Sequence, residues 1–137
     1  NLQWYGAGKE ENYTDRNNGA RIGLYSNKVI DNLSDYVIPQ ECGNKTKVKW
    51  AKVFSNDGFG IEISGDDIEF SALPYTPHEL ESAAYYHELP KVYHTVVRVS
   101  LRQIGVGGDD SWGSLPHEEY IIPSNKYMEL NFSFKGI

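Results

Sequence analysis

Apolar residues occur along the chain in short runs separated by polar residues, a pattern more typical of strands than of helices. Residues 2–5 form the first run, and a polar, turn-rich stretch follows at 9–19. Two brief strands are predicted at 22–25 and 36–38, and Pro39 ends the second of them. The first third of the chain therefore predicts a strand, a long loop and two short strands.

The middle of the chain predicts a β-hairpin. Residues 47–54 alternate as a strand with Val48 and Trp50 on one face, and the phase of the apolar residues shifts after Trp50, which indicates a bulge. The Asn-Asp-Gly sequence at 56–58 favours a tight turn. A return strand is predicted at 59–63 because apolar residues alternate there.

Three further strands are predicted after the hairpin. A Ser-Gly-Asp turn at 64–66 precedes a strand at 68–72 with alternate residues on one face. Strict alternation at 92–101 and at 127–134 predicts the last two strands. The side chains expected to face inward from the final strand are Met128, Leu130, Phe132 and Phe134.

One short helix is predicted near 76–86. Thr76 supplies a capping hydroxyl, Pro77 occupies the first helical position, and Glu79 is placed to complete a capping box. The helix is expected to end near Tyr86, before the next proline. With about seven to nine strands and one helix, the predicted fold class is all-β, an antiparallel β-sandwich.

Length and composition define the broad class of protein. The 137 residues are expected to form a single domain over 1–137 with one core. No apolar run approaches the ~20 residues of a membrane span, so no membrane partner is predicted. The chain begins at Asn1 and is expected to be part of a longer polypeptide. Because Cys42 is the only cysteine, no disulfide can form within the chain, and the cysteine content does not indicate the cellular compartment.

The charge balance argues against nucleic-acid binding. The net charge is −6, and phosphate binding requires clustered Lys and Arg side chains. The one basic cluster is interpreted as the solvated face of a strand, because its lysines alternate with apolar residues. Its members are Lys45, Lys47, Lys49 and Lys52.

The glycine-rich segment at 105–113 is the most unusual stretch for chemistry. Three glycines precede Asp109, Asp110 and Trp112. Glycines let a loop approach a neighbour closely, an exposed Trp offers a flat apolar face to the C–H face of a sugar, and carboxylates accept hydrogen bonds from hydroxyls. The alternative interpretation is a tight turn with Trp112 folded back into the core.

No catalytic pair or metal site is predicted. Retaining glycosidases need two carboxyl groups ~5 Å apart that face one another. Asp109 and Asp110 are adjacent and are expected to point in opposite directions, and the acidic pair at 66–67 is assigned to a turn. His87 and His117 lack a second ligand at zinc-binding spacing.

Two polar motifs, at 10–16 and 40–44, carry several charged and amide side chains. They are interpreted as loops held by ion pairs and Asx turns. Either motif is equally suited to face a partner domain.

Several motifs together carry a resemblance to a known family. They are Leu-Gln-Trp-Tyr-Gly at 2–6, Glu-Asn-Tyr-Thr-Asp-Arg at 11–16, Tyr-Val-Ile-Pro-Gln-Glu at 36–41, Gly-Asn-Lys-Thr at 43–46, Val-Lys-Trp at 48–50, Phe-Ser-Ala at 70–72, Tyr-Thr at 75–76, His-Glu-Leu at 87–89 and the glycine-rich loop at 105–112. With these motifs in this order, the chain resembles the last part of the C-terminal β-sandwich domain of bacterial β-galactosidases of glycoside hydrolase family 2. Lys9, Lys45, Lys47 and Lys49 depart from the residues common in that family.

The resemblance implies a fold for this chain and a location for the catalytic residues outside it. The chain would be part of a supersandwich of the galactose-mutarotase-like kind, and the catalytic barrel, with its two glutamates for retaining hydrolysis, would lie outside it. Magnesium and sodium ions are implied for the full enzyme, and no cofactor for this chain.

The resemblance also implies one contribution to substrate binding. Trp112 occupies the position of the family's tryptophan that stacks on the sugar. Asp109 and Asp110 are weaker candidates for substrate binding, because the resemblance implies no role for them. The expected partners are the remaining domains of the same polypeptide, a galactoside and further copies in a homo-oligomer, in the cytoplasm or periplasm of a bacterium. A free-standing carbohydrate-binding module and a purely structural domain with Trp112 buried are the alternatives.

Overall fold

The computed structural model describes residues 1–137 and contains six strands and one α-helix. The strands are β1 (Leu2–Ala7), β2 (Ile22–Asn27), β3 (Lys45–Phe54), β4 (Gly60–Leu73), β5 (Val96–Ser100) and β6 (Phe132–Gly136), and the helix is α1 (Pro77–Ser82). All strands belong to one antiparallel sheet in the order β2-β1-β3-β4-β5, with β6 also paired to β4. The predicted sandwich-like all-β class with one short helix is confirmed, although the sheet has fewer strands than expected.

The core lies against one face of β1, β3 and β4. Trp4, Val48, Ile68 and Phe70 are almost fully buried there. Trp4 lies opposite Ala51 in the β1–β3 ladder, so the alternation of the two strands places both side chains on the core face. Burial of each large side chain contributes about 1.5–3 kcal/mol.

The bulge predicted after Trp50 lies earlier in β3. The register with β4 shifts between Lys45 and Val48 and again between Val48 and Trp50, and Lys47 has a φ of 53°. As a result, Val48 and Ala51 face the core instead of Val48 and Trp50.

The turn predicted at 64–66 is wrong, because β4 continues through it for 14 residues. Gly65 pairs with Phe132 of β6, and Asp67 bends the strand with a φ of 55°. A Cβ atom at Gly65 would lie 2.5 Å from Ile68 Cγ2, so the glycine marks a close approach within the strand.

The strand predicted at 36–38 is also wrong. No strand pairs with this segment, and Val37 is 95% exposed. Tyr36 instead donates its hydroxyl to the carboxylate of Glu11, which ties the segment to the loop after β1.

The helix begins as predicted and ends sooner. Glu79 N–H donates to Thr76 Oγ1 at 3.1 Å, and Thr76 N–H donates to Glu79 Oε2 at 2.7 Å, so both bonds of the capping box form. The helix ends at Ser82 because Ala83 is extended and the next two N–H groups donate to the Glu88 carboxylate.

The last two predicted strands are shorter than expected, as β5 and β6 show. Of the four side chains predicted to face inward at the end of the chain, only Leu130 packs against the core, and Met128, Phe132 and Phe134 are exposed. The physical reason is that the single sheet has no second layer over this edge. No helix of the protein has the length and apolar character needed to cross a membrane.

Candidate functional site

The glycine-rich loop follows β5 and is closed at its base. Gly105 N–H donates to the carbonyl of Tyr120 at 2.9 Å. Arg102 Nη2 donates to the carbonyl of Glu119 at 2.7 Å. These bonds join the two ends of the loop, so the residues between them project as a compact unit.

Trp112 lies at the tip of this loop and is 92% exposed. The backbone N–H of Trp112 donates to Asp110 Oδ1 at 2.8 Å, and the backbone N–H of Ser114 lies 3.4 Å from the same oxygen. Gly113 has a φ of 97°, which a residue with a side chain rarely adopts. The interpretation that Trp112 folds back into the core is therefore wrong for this chain.

Asp110 shapes the tip of the loop. The hydrogen bond from Trp112 N–H is the main reason why the pKa of Asp110 lies below its usual value. The carboxylate is therefore charged over a wide pH range and acts as an Asx-type cap for its own loop.

Asp109 has a different partner from Asp110. Its Oδ1 lies 2.7 Å from His117 Nε2, and this contact raises the pKa of His117. Both side chains are exposed. Asp109 and Asp110 thus serve separate contacts, and no group of three or more His, Cys, Asp or Glu side chains is arranged to hold a metal ion.

Asp15 is a neighbour of the loop that the sequence reasoning did not single out. Its Oδ2 accepts a hydrogen bond of 2.8 Å from Gly107 N–H, although the two residues are 92 positions apart. A Cβ at Gly105 would lie 2.6 Å from the same oxygen. The available signal was the spacing of glycines in the loop, which indicates a close approach without naming the partner.

A buried carboxyl group on β4 holds the first residues of the loop. Glu69 Oε2 accepts hydrogen bonds from Asn44 Nδ2 at 2.9 Å and from Gln103 N–H at 3.0 Å, while Gln103 Nε2 donates to Asn44 Oδ1 at 3.0 Å. Burial raises the pKa of Glu69. This role could not be predicted from the sequence, because Glu69 alternates with Ile68 and Phe70 as a solvated residue would.

Glu11 is the centre of the two polar motifs. Its carboxylate accepts hydrogen bonds from Tyr36, from Gly43 N–H at 2.8 Å and from Tyr13 at 3.3 Å, and it lies 3.5 Å from Arg16. Burial alone would raise the pKa of Glu11, but these hydrogen bonds outweigh it and lower the pKa. The interpretation of the motifs as loops held by ion pairs and Asx turns is confirmed for the Glu11–Arg16 ion pair, whereas the other contacts of Glu11 are hydrogen bonds and not Asx turns.

The interpretation of the basic cluster as a solvated face is wrong for Lys45, which is 2% exposed. Its Nζ donates to the carbonyl of Lys9 at 3.0 Å and lies 5.0 Å from the centroid of the Trp4 ring. Burial lowers its pKa to about 8. By contrast, Lys49 is exposed and contacts Asp66 at 2.6 Å.

An apolar surface remains uncovered at the β4–β6 edge. It consists of Ile61, Phe132 and Phe134, and we call it the β6 patch. Phe134 lies opposite Ile63 in the ladder, so the two side chains share one face of the sheet. Ile63 is buried whereas Phe134 is 73% exposed. The core face therefore continues past Ile63 without cover.

Comparison with known proteins identifies a family that this chain matches. The family described as β-galactosidase small chain matches residues 1–135. The β-galactosidase of Halalkalibacterium halodurans is 47% identical over 99% of this chain, and that of Priestia megaterium is 43% identical over 99%. β-Galactosidase BgaC of Bifidobacterium adolescentis is 40% identical over 98%.

The matches cover only a small part of each relative. This chain spans 14% of the Halalkalibacterium protein and 13% of the Priestia and Bifidobacterium proteins. The similarity therefore concerns one region of proteins that are several times longer.

Proposed function

The chain belongs to the β-galactosidase small chain family, and from this premise we propose that it is a non-catalytic domain of a longer β-galactosidase that supplies Trp112 to the sugar site. In this proposal the longer polypeptide hydrolyses terminal β-D-galactosides such as lactose with retention of configuration. The carboxyl pair that retention requires would be provided by the rest of the polypeptide.

The observation that carries the proposal is the exposure of Trp112 on a loop whose backbone is fixed. An indole that is 92% exposed leaves its flat apolar face free to contact a ligand. The Asp110 bonds to Trp112 N–H and Ser114 N–H limit the motion of the backbone on both sides of the ring. A preordered aromatic face suits the C–H face of a sugar, because little entropy is lost on binding.

Asp109 and Asp110 have lesser roles in this proposal. Asp110 accepts hydrogen bonds from its own loop, so its oxygens are partly occupied. Asp109 is exposed beside His117, and its second oxygen is free to accept a hydrogen bond from a sugar hydroxyl.

The metal ions of the full enzyme would be bound elsewhere. Magnesium and sodium prefer several oxygen ligands, and the Asp109–His117 pair offers only two groups, one of them a nitrogen ligand. This pair does not fit either ion, and no step of the proposal passes through one.

The β6 patch supports the proposed partner, which is the remainder of the same polypeptide. The patch continues the core face of the sheet, and an uncovered apolar face is stabilised when another layer packs on it. A domain seated on the β6 patch would complete the sandwich. Homo-oligomer formation by the longer polypeptide is part of the same proposal.

The Trp112 role is tested in the longer enzyme with Trp112→Ala. We expect the KM for lactose to rise about two- to tenfold, since one aromatic contact contributes about 0.5–1.5 kcal/mol. The kcat should change less, because the stacking is present in both the bound substrate and the transition state. Inhibition by glucose should weaken by a similar factor.

Two variants control this experiment. Trp112→Phe keeps an apolar ring and should retain part of the affinity, while Tyr127→Ala removes an aromatic side chain that is equally exposed elsewhere. An unchanged KM and unchanged glucose inhibition in Trp112→Ala would refute the Trp112 role.

A free-standing carbohydrate-binding module is the second candidate, and the same exposed Trp112 favours it. This candidate differs in one measurable property, which is sugar binding by the 137-residue chain alone. Chemical-shift changes on titration with galactose or glucose would favour the module, and their absence would favour the domain of a larger enzyme.

A further inference from the structure

The glycine-rich loop contacts the loop after β1 through a single hydrogen bond. Gly107 N–H donates to Asp15 Oδ2 at 2.8 Å, and no other hydrogen bond joins residues 9–19 to residues 101–117. The acceptor is a carboxylate, so this bond is stronger than one between two neutral groups. One side chain therefore links the loop that carries Trp112 to a distant part of the sequence.

The contact leaves no space for a side chain at Gly105. A Cβ at Gly105 would lie 2.6 Å from Asp15 Oδ2 and 2.8 Å from the Cβ of Tyr120. At Gly107 the corresponding distance to Asp15 Oδ2 is 3.7 Å, an ordinary contact. The backbone at Gly105 thus rests directly on the carboxylate of Asp15.

The environment of Asp15 is not explained by stability alone. Its Oδ1 atom is buried and has no hydrogen-bond partner in the chain. Leaving a carboxylate oxygen unsatisfied in a buried position is unfavourable. A carboxylate in this place is therefore better explained by the bond that its other oxygen makes to Gly107.

The tip of the loop, which carries Asp110 and Trp112, closely follows Gly107 in the chain. Asp110 fixes the backbone around Trp112 by internal hydrogen bonds, so the shape of the tip does not depend on Asp15. The direction of the tip relative to the sheet depends instead on its attachment points. The Asp15–Gly107 bond is the attachment that lies between the loop base at Gly105 and the tip.

We propose that Asp15 is a positioning residue for Trp112, whose carboxylate sets the direction of the glycine-rich loop and so places the indole for sugar stacking. This inference rests on the proposed function. Asp15 touches no substrate in it and acts only through the loop.

The test uses the longer β-galactosidase with Asp15→Ala alone and together with Trp112→Ala. We expect Asp15→Ala to raise the KM for lactose about two- to tenfold with a smaller change in kcat, because it misplaces a binding group. In the double variant the KM should be no higher than in Trp112→Ala alone, because Asp15 has nothing left to position.

A conservative variant separates this role from a general loss of structure. Asp15→Asn keeps an oxygen that accepts the Gly107 N–H bond and should restore the KM to within about twofold of the wild type. Glu10→Ala removes an exposed carboxylate from the same loop and should leave the KM unchanged. If Asp15→Ala does not fold, Gly105→Ala tests the same contact from the other side, and its effect on KM should also vanish when Trp112 is absent.

Each contrary result has a distinct meaning. If Trp112→Ala raises the KM while Asp15→Ala and Gly105→Ala leave it unchanged, the positioning role is wrong and the proposed function stands. If Asp15→Ala adds its full effect to that of Trp112→Ala, Asp15 acts by another route and the inference is overturned. If Trp112→Ala itself has no effect, the proposed function fails and the inference fails with it.

Discussion

Lys45 places a positive charge inside the core beside Trp4. The ammonium group has one carbonyl acceptor, from Lys9, and the face of the Trp4 ring as a second favourable contact. No carboxylate lies within ion-pair distance of it. Because a buried charge without an ionic partner is unfavourable, its pKa falls from 10.5 to about 8.

This shift predicts a pH dependence of stability at the residue scale. Between pH 8 and 10.5 the folded chain releases the Lys45 proton while the unfolded chain keeps it, so the free energy of unfolding rises with pH in that window. Relative to Lys45→Met, we expect the native chain to gain about 2 kcal/mol between about pH 7.5 and about pH 9.5. Urea unfolding of both proteins measures this, and identical pH slopes would contradict it.

The residues of the candidate site differ in how far the sequence predicts them. The loop that carries Trp112 follows from a local pattern, since its glycines indicate a turn or a close approach, whereas the exposure of Trp112 and the capping by Asp110 are seen only in the structure. Asp15 and Glu69 do not follow from a local pattern, because their partners Gly107 and Gln103 are distant in the sequence. Only the folded sheet brings these pairs together.

At the scale of elements, β6 ends the sheet with its apolar face open. We predict that Phe134→Ser lowers the stability of the longer polypeptide by about 1.5–3 kcal/mol, the value of one buried aromatic side chain. The same change should alter the 137-residue chain little, since Phe134 is 73% exposed there. Thermal unfolding of the domain in both proteins measures the difference.

Val37→Ser is the matched control for this prediction. Val37 is exposed on a loop far from the β6 patch in the sequence, so its loss should have little effect in either protein. Equally small effects of Phe134→Ser in the two proteins would show that no other segment covers the β6 patch.

The elements that the sequence predicts well are those fixed by local chemistry. The Thr76–Glu79 capping box and the Asn-Asp-Gly turn of the β3–β4 hairpin each depend on a few adjacent residues. The elements predicted wrongly depend on distant pairing. β4 runs through Gly65 because β6 pairs with it there. Residues 36–38 form no strand because no other strand pairs with them, and the Tyr36 hydroxyl binds the distant Glu11.

At the scale of the whole molecule, the proposed function assigns a sugar contact to this chain and catalysis to the rest of a longer enzyme. The sheet holds the base of the glycine-rich loop through Glu69, and the loop presents Trp112 to the outside. Asp109 and Asp110 do not form the facing carboxyl pair that retaining hydrolysis requires, since the two side chains serve different contacts. In the proposed function the domain contributes to binding, and the chemistry is assigned to the other domains.

The most direct test of this claim is a structure of the longer polypeptide with bound lactose or an uncleaved analogue. We expect the Trp112 indole within about 4 Å of the C–H face of the sugar, a van der Waals contact. A Trp112 side chain packed against another domain, or turned away from the sugar, would contradict it.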